Sequence, residues 1–377
     1  MKKLLLLAVI LSVVSMDLWA QEKPKVAFDY ELTSNTYFDN RENDGPSVPF
    51  TPSMTLFGQA LTPMVGVSVS SSDMTHRFML GVDATFYFGS SQKPFGRLDK
   101  VLAYYRLDKK FSDGSRFRAL GGVFPKTFYE GDYTRAFVSD SSRFVSRNCQ
   151  GLSFYYEREK FFAEMICNWC GMKEGESRER FQIWSAAQYD FFPWMSLGYA
   201  FSFDHLACSD LVSNVADNHL LRPYLAFDLS SLVPFQKLYA DIGAYVAYQR
   251  NREYETLYIP TGVELNTEIR NWNVGVRNTL YVGNNLMPLY HQADPSGKAY
   301  AGTLFKGDSY YRVRMDGSAD TTYLPYDRLE LFYEPYLCKG VRLNISLVFH
   351  FNGGLSGTQQ IIGLKADLKE ILKNFEK

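Results

Sequence analysis

Apolar and polar residues alternate with a period of two in segment after segment of this chain, and no other feature restricts its fold as much. Successive side chains of a β-strand point to opposite faces. Val341, Leu343, Ile345, Leu347, Phe349 and Phe351 therefore share one face, while Arg342, Asn344, Ser346, Val348 and His350 share the other. Phe78, Leu80, Val82, Ala84, Phe86 and Phe88 form a second apolar face, opposite Met79, Gly81, Asp83, Thr85 and Tyr87. Leu197, Tyr199, Phe201 and Phe203 form a third, and Leu221, Pro223, Leu225, Phe227 and Leu229 a fourth. Along the chain such segments fall near 25–38, 62–71, 75–89, 99–110, 114–125, 150–157, 160–170, 178–191, 194–205, 219–229, 236–249, 261–270, 272–283, 327–337, 340–351 and 357–368, which makes sixteen.

The connections between them alternate in length. Ser72-Asp73-Met74, Phe111-Ser112-Asp113, Arg158-Glu159, Phe192-Pro193 and Cys338-Lys339 are tight, and 230–235 is of medium length. Most of the others, near 39–61, 90–98, 126–149, 171–177, 206–218, 250–260, 284–326 and 352–356, are long. Short turns at one end and long loops at the other are the order of a transmembrane antiparallel barrel. No mature stretch is a membrane-spanning helix. Even the apolar run from Trp184 to Phe203 is broken by Gln188, Asp190 and Pro193, so a membrane protein of this sequence spans with strands. The expected fold is all-β, a barrel of about sixteen strands (14–18). A large secreted sandwich or propeller also has short strands. Against it stand the absence of a blade repeat and the wealth of aromatics, 16% of the chain with 26 Tyr and 29 Phe at a mean hydropathy of -0.22, with Tyr and Trp near strand ends as in interface girdles.

The start of the chain reads as an export signal. Met1-Lys2-Lys3 is a positive n-region, Leu4 to Val14 an apolar core, and Ala20 a residue suited to cleavage after it. The expected organisation is a signal peptide over 1–20, a barrel over 21–368 and a short periplasmic tail over 369–377, with Leu368, Ile371, Leu372 and Phe375 on one helical side. The net charge of -1 and the lack of a basic run exclude a nucleic-acid binder. The five cysteines form no disulfide framework. Cys167 and Cys170 match C-x-x-C, but positions i and i+3 of a strand point apart and share neither a bond nor a metal.

If the apolar face meets lipid, the same alternation assigns the lumen its side chains. Asp29, Glu31, Asp83, Asp190, Asp204, Asp228, Asp241, Glu264, Glu268, Glu330, Glu334 and Asp367 face Arg106, Arg118, Arg222, Arg270, Arg277, Arg328, Arg342 and Lys365. Such a mixture suits a water-filled channel with a transverse field or a lumen partly closed by ion pairs, and sixteen strands favour the channel. The loop at 126–149 is the candidate constriction, with Glu130, Asp132, Arg135, Asp140, Arg143 and Arg147 among its aromatics. The loop at 284–326 suits either a plug or a receptor surface.

No enzyme chemistry is evident. His76, His205, His219, His291 and His350 are scattered without zinc-ligand spacing, and no G-x-S-x-G elbow is present. A lipid-modifying barrel would need Ser and His together on the lipid side, whereas Ser346 and His350 share the lumen face. The expectation is no enzyme, no cofactor and no metal.

Signal peptide, alternating strands and loop order together resemble porin-like outer-membrane barrels of Gram-negative bacteria. Leu61-Thr62-Pro63-Met64-Val65-Gly66-Val67, the stretch His76 to Asp83, and Gly131-Asp132-Tyr133-Thr134-Arg135-Ala136-Phe137 look like segments of uncharacterised members of that group. The resemblance implies residence among outer-membrane lipids and passive diffusion of small polar solutes, and carries over no functional residues or oligomeric state. The alternatives are a non-conducting receptor or envelope scaffold and, second, an outer-membrane lipid-modifying enzyme.

Overall fold

The computed structural model describes residues 24–43, 53–90, 101–312, 324–352 and 355–372. The signal segment over 1–20 lies outside the described residues, as do 313–323 of the longest loop and 373–377 of the tail. The strands are β1 (Lys25–Asn43), β2 (Met54–Ser70), β3 (Met74–Val82), β4 (Ala84–Tyr87), β5 (Val101–Lys110), β6 (Arg116–Pro125), β7 (Asn148–Arg158), β8 (Phe161–Gly171), β9 (Arg180–Phe192) and β10 (Met195–Leu206). They continue with β11 (Ala216–Asp228), β12 (Lys237–Asn251), β13 (Thr256–Tyr258), β14 (Thr261–Asn271), β15 (Val274–Gly283), β16 (Leu324–Tyr333), β17 (Tyr336–Cys338), β18 (Val341–Phe351) and β19 (Leu355–Asp367). Among the described residues there are also three short α-helices: α1 (Asp140–Val145), α2 (Ala301–Leu304) and α3 (Leu368–Leu372).

Each strand pairs antiparallel with the next, and β19 returns to β1 from Thr33↔Asp367 to Asn43↔Gly357. The sheet is closed. β3 with β4, β13 with β14, and β16 with β17 are interrupted single strands, so the barrel has 16 strands. Pro260 and Pro335 stand at two of the interruptions, where a residue without N–H cannot extend the ladder.

Every expected strand is present, and the main differences lie at the long-loop end. β1 and β2 run on to Asn43 and back from Met54, through a stretch expected to be loop. That stretch is rich in Asn, Asp, Pro and Gly, Gly58 among them, and so reads poorly as a strand. A Cβ at Gly58 would lie 2.8 Å from the Phe86 carbonyl and 3.2 Å from the Phe144 ring, so the close approach requires glycine. β11 likewise begins at Ala216 instead of 219. At the other end the β14–β15 hairpin turns on Trp272 and Asn273, both with positive φ (50° and 64°), which matches the right-handed twist of a two-residue hairpin.

Polarity is inverted relative to a soluble protein. The outward face is the apolar one, with Phe28 72% exposed and Trp272 81% exposed, whereas Arg222 and Glu264 on the inner face are 0% exposed. Exposed aromatics collect at both ends of the wall. Phe161, Phe192, Trp194, Trp272 and Tyr336 lie toward the short turns, and Phe57, Phe88, Trp169, Tyr248 and Tyr254 toward the long loops. These are the two girdles of a bilayer-spanning barrel.

Because β19 alone bridges β18 to β1, a chain ending at Phe351 would leave two unpaired edges in hydrocarbon. Such a truncation is expected to abolish the heat-modifiable folded band on gel electrophoresis.

Candidate functional site

The lumen is filled by two of the long loops, and the charges assigned to it from the sequence hold them there. Residues 126–147 pass inside the wall, and α1 is capped by the Ser139 hydroxyl, which accepts from the Ser142 N–H at 3.2 Å. Glu164 on β8 accepts the Glu130 and Gly131 N–H groups at 2.9 and 2.7 Å. Residues 284–312 enter beside them. Leu286, Met287, Leu289, Tyr300, Leu304, Tyr310 and Tyr311 are all buried, and the Asp308 N–H donates to the Arg135 carbonyl at 2.8 Å.

Arg222 is the centre of the first network. Its guanidinium meets Asp132 of the loop at 3.1 Å, Asp241 on β12, and Glu264 on β14 at 3.4 Å. Tyr245 donates to Glu264 at 2.9 Å and shares a 2.5 Å hydrogen bond with the Thr134 hydroxyl, while Tyr311 donates to the other Glu264 oxygen. Side chains from wall and both loops thus meet across the lumen. The second network joins Arg135 to Asp140 (2.9 Å) and Glu330 (3.4 Å), Arg328 to Glu330 (2.7 Å), and Arg277 to Glu330 (3.5 Å), Glu334 (2.9 Å) and Glu268 (3.0 Å). Arg342 closes it on Glu334. Burial raises the pKa of the Asp140 carboxyl, but Arg135 and Arg328 outweigh that and hold it well below the usual carboxylate range.

The remaining predicted residues are also engaged. Arg118 pairs with Glu130 at 3.0 Å, Arg106 grips Asp108 with two bonds at 2.6 and 2.7 Å, Arg147 pairs with Asp83, and Arg143 donates to the Tyr133 carbonyl. His350 faces the lumen as expected. It hydrogen-bonds Tyr326 (2.9 Å) and Gln359 (3.2 Å) and stacks on Tyr310 at 4.0 Å, while Ser346 donates to Asn344 instead. Cys170 hydrogen-bonds the inward Asn168 and Gln182, and Met165, like Cys167 on the odd register of β8, is exposed to the outside.

A second set of polar residues lies on the other side of the wall. His205 at the end of β10 and Asp217 near the start of β11 are register partners on the membrane-facing side. The imidazole Nδ1 is 2.6 Å from Asp217 Oδ1, and Arg252 donates through Nε and Nη2 to Asp217 Oδ2 at 3.0 and 2.8 Å. The sequence signal existed for His205, which continues the outward parity of Leu197 to Phe203. It was hidden for Asp217, because 206–218 reads as loop.

Removing the Arg222 guanidinium leaves the Asp241 and Glu264 carboxylates buried and uncompensated, a change that costs about 3–5 kcal/mol. Arg222→Ala is expected to lower the denaturant midpoint of the detergent-solubilised barrel accordingly. Asp294 anchors the second loop through Arg178 at 3.0 Å and through the Ser296 and Lys298 N–H groups at 3.0 and 3.1 Å. Burial raises its pKa, but Ser296, Lys298 and Arg178 bring it below the ordinary 3.8. A depressed carboxyl contributes stability above its unfolded value and loses it as pH falls through the folded one. Protease access to residues 284–312 is therefore expected to rise below about pH 4, and to be high already at neutral pH in Asp294→Asn.

The solved structures similar to this one are outer-membrane barrels. OmpT of Vibrio cholerae lacking loop L8 superposes with a TM-score of 0.53 at 10% identity, covering 91% of this chain and 99% of its own. The anion-selective porin of Comamonas acidovorans gives 0.50 at 11%, covering 92% and 100%, and Salmonella typhi OmpF gives 0.50 at 9%, covering 90% and 97%. These likenesses show the fold, a closed antiparallel barrel. No curated protein matches the sequence. The family model of the Lipid A 3'-O-deacylase type matches residues 20–293. That match corrects the expectation that the chain is not an enzyme. The expectation rested on motifs of fixed spacing, and in a barrel polar groups are assembled across strands by register instead. The chain belongs to the Lipid A 3'-O-deacylase-type family.

Proposed function

We propose that this barrel hydrolyses an acyl ester of lipid A in the outer leaflet and does not serve as a diffusion channel. The observation that carries the reading is the packed section across the lumen. Diffusion of polar solutes requires a continuous aqueous path, whereas here Arg222, Glu264, Tyr245, Tyr281, Tyr311 and Tyr326 are all 2% exposed or less at the level where both loops meet the wall. Hydrogen bonds from Thr134 and Tyr311 to that layer tie the loops to it, so opening a path means breaking a buried charge network and not merely displacing water.

Family membership supplies the chemical class, an ester between a fatty acid and a sugar hydroxyl. Hydrolysis of such a bond needs a water, a base to take its proton and groups to receive the charge that develops on the carbonyl oxygen. The lipid lies in the plane of the membrane, so it reaches the protein from the side or over the rim of long loops. A barrel whose interior is a scaffold and whose rim carries polar side chains suits that route.

Purified protein reconstituted with lipid A is expected to release free fatty acid and leave lipid A lighter by one acyl chain in mass spectra. The same preparation is expected to give no unit conductance steps in a planar bilayer. Stepwise conductance without fatty-acid release would sink the proposal.

A further inference from the structure

Three adjacent strands set a row of donors side by side on the inner wall near the short-turn mouth. Asn35 on β1 pairs in register with Lys365 on β19, and Lys365 with Arg342 on β18. Each shares the parity of a buried inward residue on its own strand, Asp39, Gln359 and Val348 respectively. Register partners on one face lie about 5 Å apart, so the row spans about 10 Å. β18 begins at Val341 and β19 ends at Asp367, which puts the row close to the mouth.

The row is short of acceptors. Among the described residues neither the Asn35 amide nor the Lys365 ammonium makes a hydrogen bond, and Asn35 Oδ1 is buried. Arg342 has the Glu334 carboxylate, which also serves Arg277 at 2.9 Å and Arg270 at 3.9 Å. Arg270 reaches Glu268 only at 3.7 Å, and its buried Nε has no hydrogen-bond partner. Asp367, further along β19, accepts the Lys369 and Glu370 N–H groups at 2.9 and 3.3 Å instead. Arg143 of the first loop lies within electrostatic reach of Lys365 and adds a further cation.

There is also room. Lys365 is exposed and the Arg342 side chain is 41% exposed, although both face the inside of the barrel. The packed layer around Arg222 and Tyr311 lies further in, so this space is a vestibule that opens at the short turns and is closed above. Cations gathered away from bulk water without matching carboxylates are costly, and an anion received among them offsets that cost. Guanidinium, ammonium and amide N–H groups in one row suit the several oxygens of an oxyanion.

We propose that Asn35, Lys365 and Arg342 form a binding site for a phosphate-type oxyanion that enters from the short-turn, periplasmic mouth. Three arginines sharing Glu334, beside an unpaired lysine, favour a divalent anion over a single carboxylate. The ligand is a soluble phosphate or phosphomonoester, because the headgroup of a membrane lipid stays on the outward side of the wall. The site lies at the end of the barrel away from the long loops, and binding there requires no ester hydrolysis.

Inorganic phosphate is titrated calorimetrically into the detergent-solubilised barrel at low salt, with folding read from heat-modifiable migration. Saturable binding of one phosphate is expected, weakening as salt is raised. Lys365→Gln is expected to weaken it about 10-fold or more, and this variant breaks no hydrogen bond or ion pair of the fold. Arg342→Gln is expected to act comparably. Lys160→Gln, in the short turn between β7 and β8 on the opposite wall, is expected to bind as wild type does. Phosphatidic acid in the micelles is expected not to compete, and competition overturns the soluble ligand. No saturable binding by the folded wild type, undiminished binding by both Lys365→Gln and Arg342→Gln, or an equal loss in Lys160→Gln overturns the site.

Discussion

A wall placed in hydrocarbon has to pair every backbone N–H and C=O within itself, and the pairing of β19 with β1 completes that requirement. Closure by an antiparallel sheet enforces the period of two, because each strand then has one face toward lipid and one toward the inside. The inverted polarity follows directly. Phe28 and Trp272 face outward, and Arg222, Arg328, Glu264 and Glu330 face inward. Closure also fixes the registers that bring residues distant in sequence side by side.

Charges turned inward have to be solvated by water or by one another. In this barrel much of that role falls to loops. Asp132, Arg135 and Asp140 meet Arg222, Glu330 and Arg328 on the wall. Removing such groups from water costs several kcal/mol per ion, and their mutual attraction offsets this only when every lone pair and N–H finds a partner. The Glu264 carboxylate meets that condition, with Tyr245, Tyr311 and Asn266 donating to it, whereas Arg222 Nε and Arg328 Nε and Nη2 are buried without a hydrogen bond among the described residues. Apolar burial supplies the rest. Leu286, Met287, Leu289 and Leu304 of the second loop are buried inside the barrel, and each such side chain contributes roughly 1.5–3 kcal/mol when fully buried. Opposite charges choose where the loops dock, and apolar contacts keep them there.

This division of labour bears on how the protein works. A lumen committed to holding loops is a rigid scaffold, and a rigid wall holds side chains on its outer surface in fixed register. His205 and Asp217 meet because β10 and β11 pair as they do, and Arg252 reaches them from the turn that follows β12.

Alternation by itself determined the strand number, the antiparallel order and which side chains face inward, since these depend only on local parity and on turn length. Cys167 and Cys170 on opposite sides of β8, and His350 in the lumen, follow from the same parity. The extensions of β1, β2 and β11 were not legible, because Gly58 and the polar stretch before His219 read as loop and are held in strands only by their neighbours. Nor was the docking of 126–147 and 284–312 inside the barrel, where the partners of Arg222 come from β12, β14 and a loop. Asp217 shows the limit most clearly. Its parity could be counted only once β11 was known to begin at Ala216, and its bond to His205 depends on a register that periodicity does not encode. Local sequence determines which way a side chain points, and only closure and packing over long separations decide what it meets.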